Sequence, residues 1–192
     1  MPRREGRRHD RHRHDRHDRA RRRHAPARRG RSSAGTAVVT PRGAARRAIV
    51  LDAARQIEDQ LAGRGAAVPD AVLDPSGARP GRAPDLVVVG EGARPDGRGH
   101  WAWPDLEAVL EVVPAAGPHG GFAERLRRYA GHGVPVCVVV DPAEGVCTVH
   151  SEPRPAGAYH LAERIPFGED LPVQLPGLTL VVATGGFPRE PA

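Results

Sequence analysis

The sequence predicts an α/β domain with a mixed central β-sheet flanked by helices. Three observations support this: an amphipathic stretch at 44–63, short apolar runs at 84–92 and 106–114, and a hairpin pattern at 134–150. Short apolar runs between turn residues are typical of buried strands, whereas a four-residue apolar spacing is typical of a helix. Alternating elements of this kind pack helices onto a sheet.

The first elements of the domain are a short strand at 36–40, ended by Pro41, and the helix at 44–63. Apolar side chains recur every four residues along one face of this helix, at Ile49, Ala53, Ile57 and Leu61. The other face carries charged side chains, which are Arg46, Arg47, Arg55, Glu58 and Asp59. This division predicts one buried and one solvent-facing side.

The remaining elements follow from the same patterns. Residues 66–74 predict a short strand interrupted by proline, and 121–133 predict a second helix with Phe122, Leu126 and Tyr129 on one face. The sequence "DPAEG" at 141–145 predicts the turn of the hairpin. Two further strands are expected within 158–168 and 175–182.

Charge divides the 192-residue chain into a basic arm and a mildly acidic domain. Residues 1–34 hold 14 Arg, 5 His and 4 acidic residues, so their formal net charge is +10 within a total of +6. The segment lacks aromatic residues and large aliphatic residues beyond Met1, so we expect it to be disordered. It is consistent with a nucleic-acid-binding arm, a solvated tail or a misassigned start codon. We expect the folded domain at 35–183 and a C-terminal tail at 184–192.

Several residue types are missing or scarce, and this excludes some functions. The chain contains no Lys, which excludes Schiff-base and Walker-lysine chemistry. Its two Cys residues are too few for a disulfide framework or a zinc site and favour a reducing compartment. No apolar run is long enough for a membrane helix, and the N-terminus has no secretory apolar segment. We therefore expect a cytoplasmic protein without membrane contact.

Two acidic residues stand in apolar strand context, Asp85 at the start of one run and Glu111 inside the next. Carboxylates are rarely buried unless they are paired or bind a metal. If both side chains point to the same face of adjacent strands, they form a site suited to Mg²⁺ or Mn²⁺. The alternative is that each carboxylate lies at a strand end in solvent.

An ordered set of short motifs resembles the Uma-two family, restriction-endonuclease-like proteins of the PD-(D/E)XK nuclease superfamily. The matching positions are Pro84-Asp85, Glu111-Val112, Tyr129, Gly133-Val134-Pro135 and Asp141-Pro142. The match spans residues 36–182, including the late segment "AYHLAERIPFGEDLPVQLPGLTL". It implies a restriction-endonuclease-like fold and metal-dependent hydrolysis of DNA phosphodiester bonds.

The resemblance also assigns residues to this chemistry. It implies that Asp85 and Glu111 bind Mg²⁺ or Mn²⁺, and that Arg125 occupies the position of the family's catalytic lysine, four residues before Tyr129. The superfamily's own lysine position is Val113, and the family's helix Asp and strand-end Ser positions are Gly121 and Pro114. Because Arg holds charge but is a poor general base, the alternative is a catalytically degenerate protein that only binds nucleic acid. Homodimerisation is left open.

Other residues are candidates either for the site or for a purely structural role. Glu107, four residues before Glu111, is a minor candidate for the site because that spacing shares a strand face. We expect Tyr129 to be a packing residue and the "HWAW" segment at 100–103 to be a packing cluster rather than a base-stacking surface. Cys137 and Cys147 are expected as buried small side chains.

Overall fold

The computed structural model describes residues 43–75, 83–113 and 121–190. Contacts divide the chain into two units, residues 1–38 and 39–192, and every described residue belongs to the second unit. The predicted arm at 1–34 and the predicted strand at 36–40 lie outside the described residues, as does Pro114.

Two helices, eight strands and a short 3-10 helix make up the described part of the chain. The helices are α1 (Ala44–Leu61) and α2 (Phe122–Gly131), and the 3-10 helix is Trp103–Asp105. The strands are β1 (Gly65–Pro69), β2 (Leu86–Gly90), β3 (Leu106–Val112), β4 (Val136–Asp141), β5 (Val146–Arg154), β6 (Ala158–Pro166), β7 (Asp170–Leu175) and β8 (Leu178–Ala183). The predicted α/β class, with a mixed sheet flanked by helices, is confirmed.

Six strands form the main sheet in the order β1-β2-β3-β4-β5-β6. All neighbours are antiparallel except β3 and β4, which are parallel and are joined by the connection containing α2. A parallel pair needs such a crossover, and helices usually provide it. The carboxyl ends of β3 and β4 therefore lie side by side, next to the segment where α2 begins.

Helix α1 and the β7-β8 hairpin cover one face of the sheet. The apolar stripe of α1 is fully buried there, as the four-residue spacing predicts. Two glutamines of α1 also pair with the backbone of β8: Gln56 exchanges hydrogen bonds with Ala183, and Gln60 with Val181. Their amide groups bond to the backbone N–H and C=O groups at this edge of β8, as a neighbouring strand would.

Helix α2 packs on the opposite face of the sheet, in a second apolar cluster. Tyr129 and Val134 are almost fully buried in it, together with Trp103, which stacks on His132 at a centroid distance of 3.9 Å. The packing role expected for the tryptophan segment is what the structure shows. Cys137 faces this cluster and Cys147 the other one, and both are fully buried, as expected.

The C-terminal part of the domain differs from the prediction in one element. The strand expected at 175–182 contains the turn between β7 and β8, and β7 itself was not predicted. Leu171, Val173 and Leu175 alternate with polar or exposed positions, so the strand pattern is present, but Pro172 interrupts its β-propensity. In the segment at 184–190, expected as a tail, Thr184 and Phe187 are buried.

Candidate active site

The structure places the two predicted carboxylates opposite each other on adjacent strands. Leu86 pairs with Leu110, so the next antiparallel pair at this end of the ladder is Asp85 and Glu111. The two side chains are contacted from different sides, because the partner of Asp85 comes from α1 and the partners of Glu111 come from α2. Each is only 2% exposed, although both are acidic. The alternative of two solvent-exposed strand ends is therefore wrong.

Asp85 is held from two directions. Its Oδ2 accepts a hydrogen bond of 2.7 Å from the backbone N–H of Val112 on β3. Its Oδ1 accepts one of 2.8 Å from Nε of Arg46, and Nη2 of Arg46 lies 2.6 Å from the same oxygen. The hydrogen bond with Asp85 raises the pKa of Arg46, against the opposing effect of burial, so the guanidinium stays charged. The carboxylate of Asp85 is thus paired with a guanidinium and hydrogen-bonded to the backbone.

Sequence reasoning assigned Arg46 to the solvent-facing side of α1, and this assignment is wrong. Arg46 lies in the first turn of the helix, and its side chain, which is one-third exposed, extends to Asp85 directly before β2. The same guanidinium also contacts Asp70, which follows β1. Helical periodicity could not reveal this contact because it depends on how α1 crosses the sheet.

Glu111 has a different set of partners, both from α2. Its Oε1 accepts a hydrogen bond of 2.5 Å from the hydroxyl of Tyr129. Nε of Arg125 lies 3.0 Å from the same oxygen, but its N–H finds no acceptor with hydrogen-bond geometry. The contact between Arg125 and Glu111 is therefore an ion pair by distance only. Tyr129, expected as a packing residue, is a packing residue and also a hydrogen-bond donor to Glu111.

Burial dominates the electrostatics of Glu111. Removal from water raises the pKa of this carboxyl, and the nearby charge of Asp85 raises it further. The hydrogen bond from Tyr129 and the charge of Arg125 oppose this shift without cancelling it. Burial and the Glu111 charge in turn raise the pKa values of Tyr129 and Cys137, so both stay protonated.

Glu107 does not join this site. The pairing of β2 with β3 shifts between Val88 and Val89, so Glu107 is an extra, unpaired residue at a bulge. Its carboxylate lies against Gly90, at the far end of β2 from Asp85. The strand periodicity that suggested a shared face with Glu111 is broken by this bulge.

A groove of about 380 Å³ opens at the carboxyl ends of β3 and β4, and its lining does not include Asp85, Glu111, Arg125 or Tyr129. Val113, two residues after Glu111, lines it, and so does Val139, which pairs with Glu111 across the sheet. Val139 pairs in turn with Thr148 on β5, and Thr148 pairs with Arg164 on β6. The guanidinium of Arg164 forms an ion pair with Glu144 at 2.6 Å. The groove therefore crosses β4, β5 and β6, and its charged lining residues are Asp141, Glu144 and Arg164.

The chemistry of the donor set is compatible with a divalent cation. Two carboxylates opposite each other supply the hard oxygen ligands that Mg²⁺ and Mn²⁺ prefer. Within the described residues, no third His, Cys, Asp or Glu completes a cluster with them. Arg46 encloses Oδ1 of Asp85, so the residues fit a cation once that guanidinium has withdrawn.

The described part of the chain is an α/β fold with a mixed sheet, helices on both faces and two buried carboxylates at the end of the sheet where β2 begins. The family model described as "Uma2: Putative restriction endonuclease" matches residues 23–183, and the chain belongs to this family. The fold is similar to a crystal structure titled as a "putative nuclease belonging to DUF820" from Anabaena variabilis. That likeness has a TM-score of 0.51 at 15% identity and covers 72% of this chain and 78% of the other. None of the curated proteins compared with this chain matches it.

Family membership supports a nuclease function and confirms the resemblance found in the sequence. None of the helices in the described residues is long and apolar enough to cross a membrane.

Proposed function

We propose that this protein is a metal-dependent endonuclease that hydrolyses DNA phosphodiester bonds, with Asp85 and Glu111 as ligands for Mg²⁺ or Mn²⁺. The observation that carries the proposal is the burial of two carboxylates at one end of adjacent strands, Asp85 directly before β2 and Glu111 on β3, with Arg125 beside Glu111. Burial of two acidic side chains is costly for a fold, which favours a functional role.

A bound cation would supply charge neutralisation at the phosphate and lower the pKa of a bound water. The other contributions come from the chain itself. The Val112 amide fixes the orientation of Asp85, and the Tyr129 hydroxyl fixes that of Glu111. Arg125 supplies positive charge toward a phosphate oxygen, as guanidinium groups do, but it cannot accept a proton.

The groove lies near the site through Val139, which pairs with Glu111 on the neighbouring strand. Its apolar lining at Val113, Phe122 and Val139 could contact a nucleoside, whereas its acidic residues Asp141 and Glu144 oppose a phosphate and Glu144 already pairs with Arg164. DNA as the substrate is supported by the family, whose description is "Putative restriction endonuclease". Cytoplasmic localisation and a homodimer stay predictions from the sequence.

A second function is favoured by one specific observation. Each carboxylate already has a guanidinium within 3.0 Å, Arg46 at Asp85 and Arg125 at Glu111. A carboxylate that is paired with a guanidinium has less need of a cation. The alternative is therefore a catalytically degenerate member of the family that binds nucleic acid without cutting it.

Cleavage of supercoiled plasmid by the full chain, with Mg²⁺, Mn²⁺ or EDTA, separates the two functions. The variants Asp85→Ala and Glu111→Ala should abolish nicking, whereas Glu107→Ala, a carboxylate of the same strand outside the site, should not. Cation-dependent nicking lost only in the site variants supports the endonuclease. Salt-dependent DNA binding by a folded sample that does not nick supports the degenerate binder and overturns the endonuclease.

A further inference from the structure

Arg46 contacts the candidate site from α1. Two of its nitrogens lie within 2.8 Å of Oδ1 of Asp85. A carboxylate oxygen has room for about two strong partners. Oδ1 is therefore occupied, and Oδ2 already accepts the Val112 amide.

Arg125 does not have the same effect on Glu111. Its Nε makes no hydrogen bond of proper geometry, and the strong partner of Oε1 is the neutral Tyr129 hydroxyl. A cation that approaches Glu111 competes with a guanidinium whose Nε makes no hydrogen bond to the carboxylate. A cation that approaches Asp85 competes with a guanidinium that has two nitrogens on Oδ1. The two ends of the site therefore differ in how readily they can accept a metal ion.

We infer that Arg46 is an internal competitor of the divalent cation for Asp85, so that the cation binds only when this guanidinium leaves Oδ1. The inference rests on the proposed metal site. It assigns to Arg46 a role in controlling cation affinity, not a role in touching substrate.

The structure also provides a second position for the displaced side chain. Nη2 of Arg46 donates to Oδ1 of Asp70 at 3.1 Å, and that carboxylate is 75% exposed. An arginine that leaves Asp85 can keep its charge paired with Asp70 in solvent. Because this contact remains, moving Arg46 away from Asp85 costs less free energy than leaving the guanidinium without any partner.

Direct Mn²⁺ binding to the full chain tests this inference. Free Mn²⁺ is counted by electron paramagnetic resonance for the wild type, Arg46→Gln and the matched control Arg55→Gln. Arg55 lies on the same helix but pairs only with Asp52 and Asp59, away from the site. We expect Arg46→Gln to bind Mn²⁺ about tenfold tighter or more, because a charge-assisted contact no longer competes, and Arg55→Gln to match the wild type.

Thermal unfolding gives a second readout that does not depend on activity. Arg46→Gln should melt lower than the wild type without Mn²⁺ and recover more of its melting temperature when Mn²⁺ is added. If Arg46→Gln does not fold, Arg46→Lys retains the charge without the fork-like contact and should bind Mn²⁺ with intermediate affinity. Equal or weaker Mn²⁺ binding by the folded Arg46 variant overturns the inference.

Failure of this inference is distinct from failure of the proposed function. Equal binding by the wild type and Arg46→Gln, together with plasmid nicking, overturns the competitor role and leaves the endonuclease standing. Binding by Arg46→Gln alone, without wild-type nicking, supports the competitor role and indicates that the natural protein is a degenerate nuclease.

Discussion

Asp85 and Glu111 are equally buried and lie opposite each other, yet their surroundings differ. Asp85 accepts hydrogen bonds from a charged guanidinium and a backbone amide, whereas Glu111 accepts one from a neutral phenol and has only a misaligned guanidinium nearby. The charge of Asp85 is therefore matched by the fold. The charge of Glu111 is partly unmatched, and burial raises its pKa.

This difference predicts that Asp85 mainly stabilises the fold, whereas Glu111 is buried mainly for function. A buried carboxylate whose charge is compensated loses that stabilisation when its charge is removed, and Arg46 then keeps only its contact with the exposed Asp70. A carboxylate kept buried with incomplete compensation opposes folding and is better explained by a function that needs its charge. Substitution of each residue should therefore change stability in opposite directions.

The largest expected effect is that of Asp85→Asn. This change removes the charge that pairs with Arg46 and should lower the free energy of unfolding by about 3 kcal/mol. Urea denaturation of the full chain measures the loss, with the exposed Asp59→Asn as a control of equal chemistry. A loss no larger than that of the control would show that Asp85 is not compensated by Arg46.

The next effect is that of Tyr129→Phe, which removes the strongest partner of Glu111. A hydrogen bond to a charged acceptor should cost about 2 kcal/mol when its donor is lost. Tyr159→Phe is the matched control, since that hydroxyl donates to the neutral carbonyl of Val134 and its loss should cost about 1 kcal/mol. Equal losses in the two variants would mean that Glu111 is not ionised in the folded protein.

Glu111→Gln should have a smaller effect in the opposite direction. Because burial raises the pKa of Glu111, its contribution to stability is complete below the ordinary carboxyl pKa and is lost as the pH rises through the raised value. The neutral variant escapes this loss, so we expect it to be more stable than the wild type by about 1 kcal/mol near neutral pH.

Thermal melts of both proteins as a function of pH check this expectation. The advantage of Glu111→Gln should vanish in acid, where Glu111 is protonated in the wild type. The exposed Glu163→Gln is the control of equal chemistry. A destabilised Glu111→Gln at neutral pH would remove the distinction between the two carboxylates.

The smallest expected effect concerns Arg125. A Cβ at Gly121 would lie 3.5 Å from Nη1 of Arg125, so Gly121→Asp places a carboxylate beside this guanidinium at the start of α2. We expect a gain of about 0.5 kcal/mol, reduced by high salt. Gly121→Ala is the control, because it adds the Cβ without the charge. A gain shared by both variants would reflect helix propensity rather than pairing with Arg125.

Much of the fold could be predicted because its strands and helices carry local patterns. The stripe of α1 and the apolar runs of β2, β3 and β4 appear in the sequence at nearly their observed bounds. Strand β7 was missed because Pro172 weakens a short alternating pattern, and its position is stabilised by packing on the main sheet. The bulge at Glu107 is also invisible locally, since it depends on the pairing with β2.

The residue types of the site were determined by the sequence alone: two carboxylates in apolar strands, an arginine and a tyrosine four residues apart on a helix, and no lysine anywhere. Which arginine side chain contacts which carboxylate was decided only by the tertiary structure. Arg46 reaches Asp85 across 39 residues because of the angle at which α1 crosses the sheet, and no spacing in the sequence encodes that approach. Helical periodicity determines which face of a helix is apolar, whereas contacts at its ends depend on long-range packing.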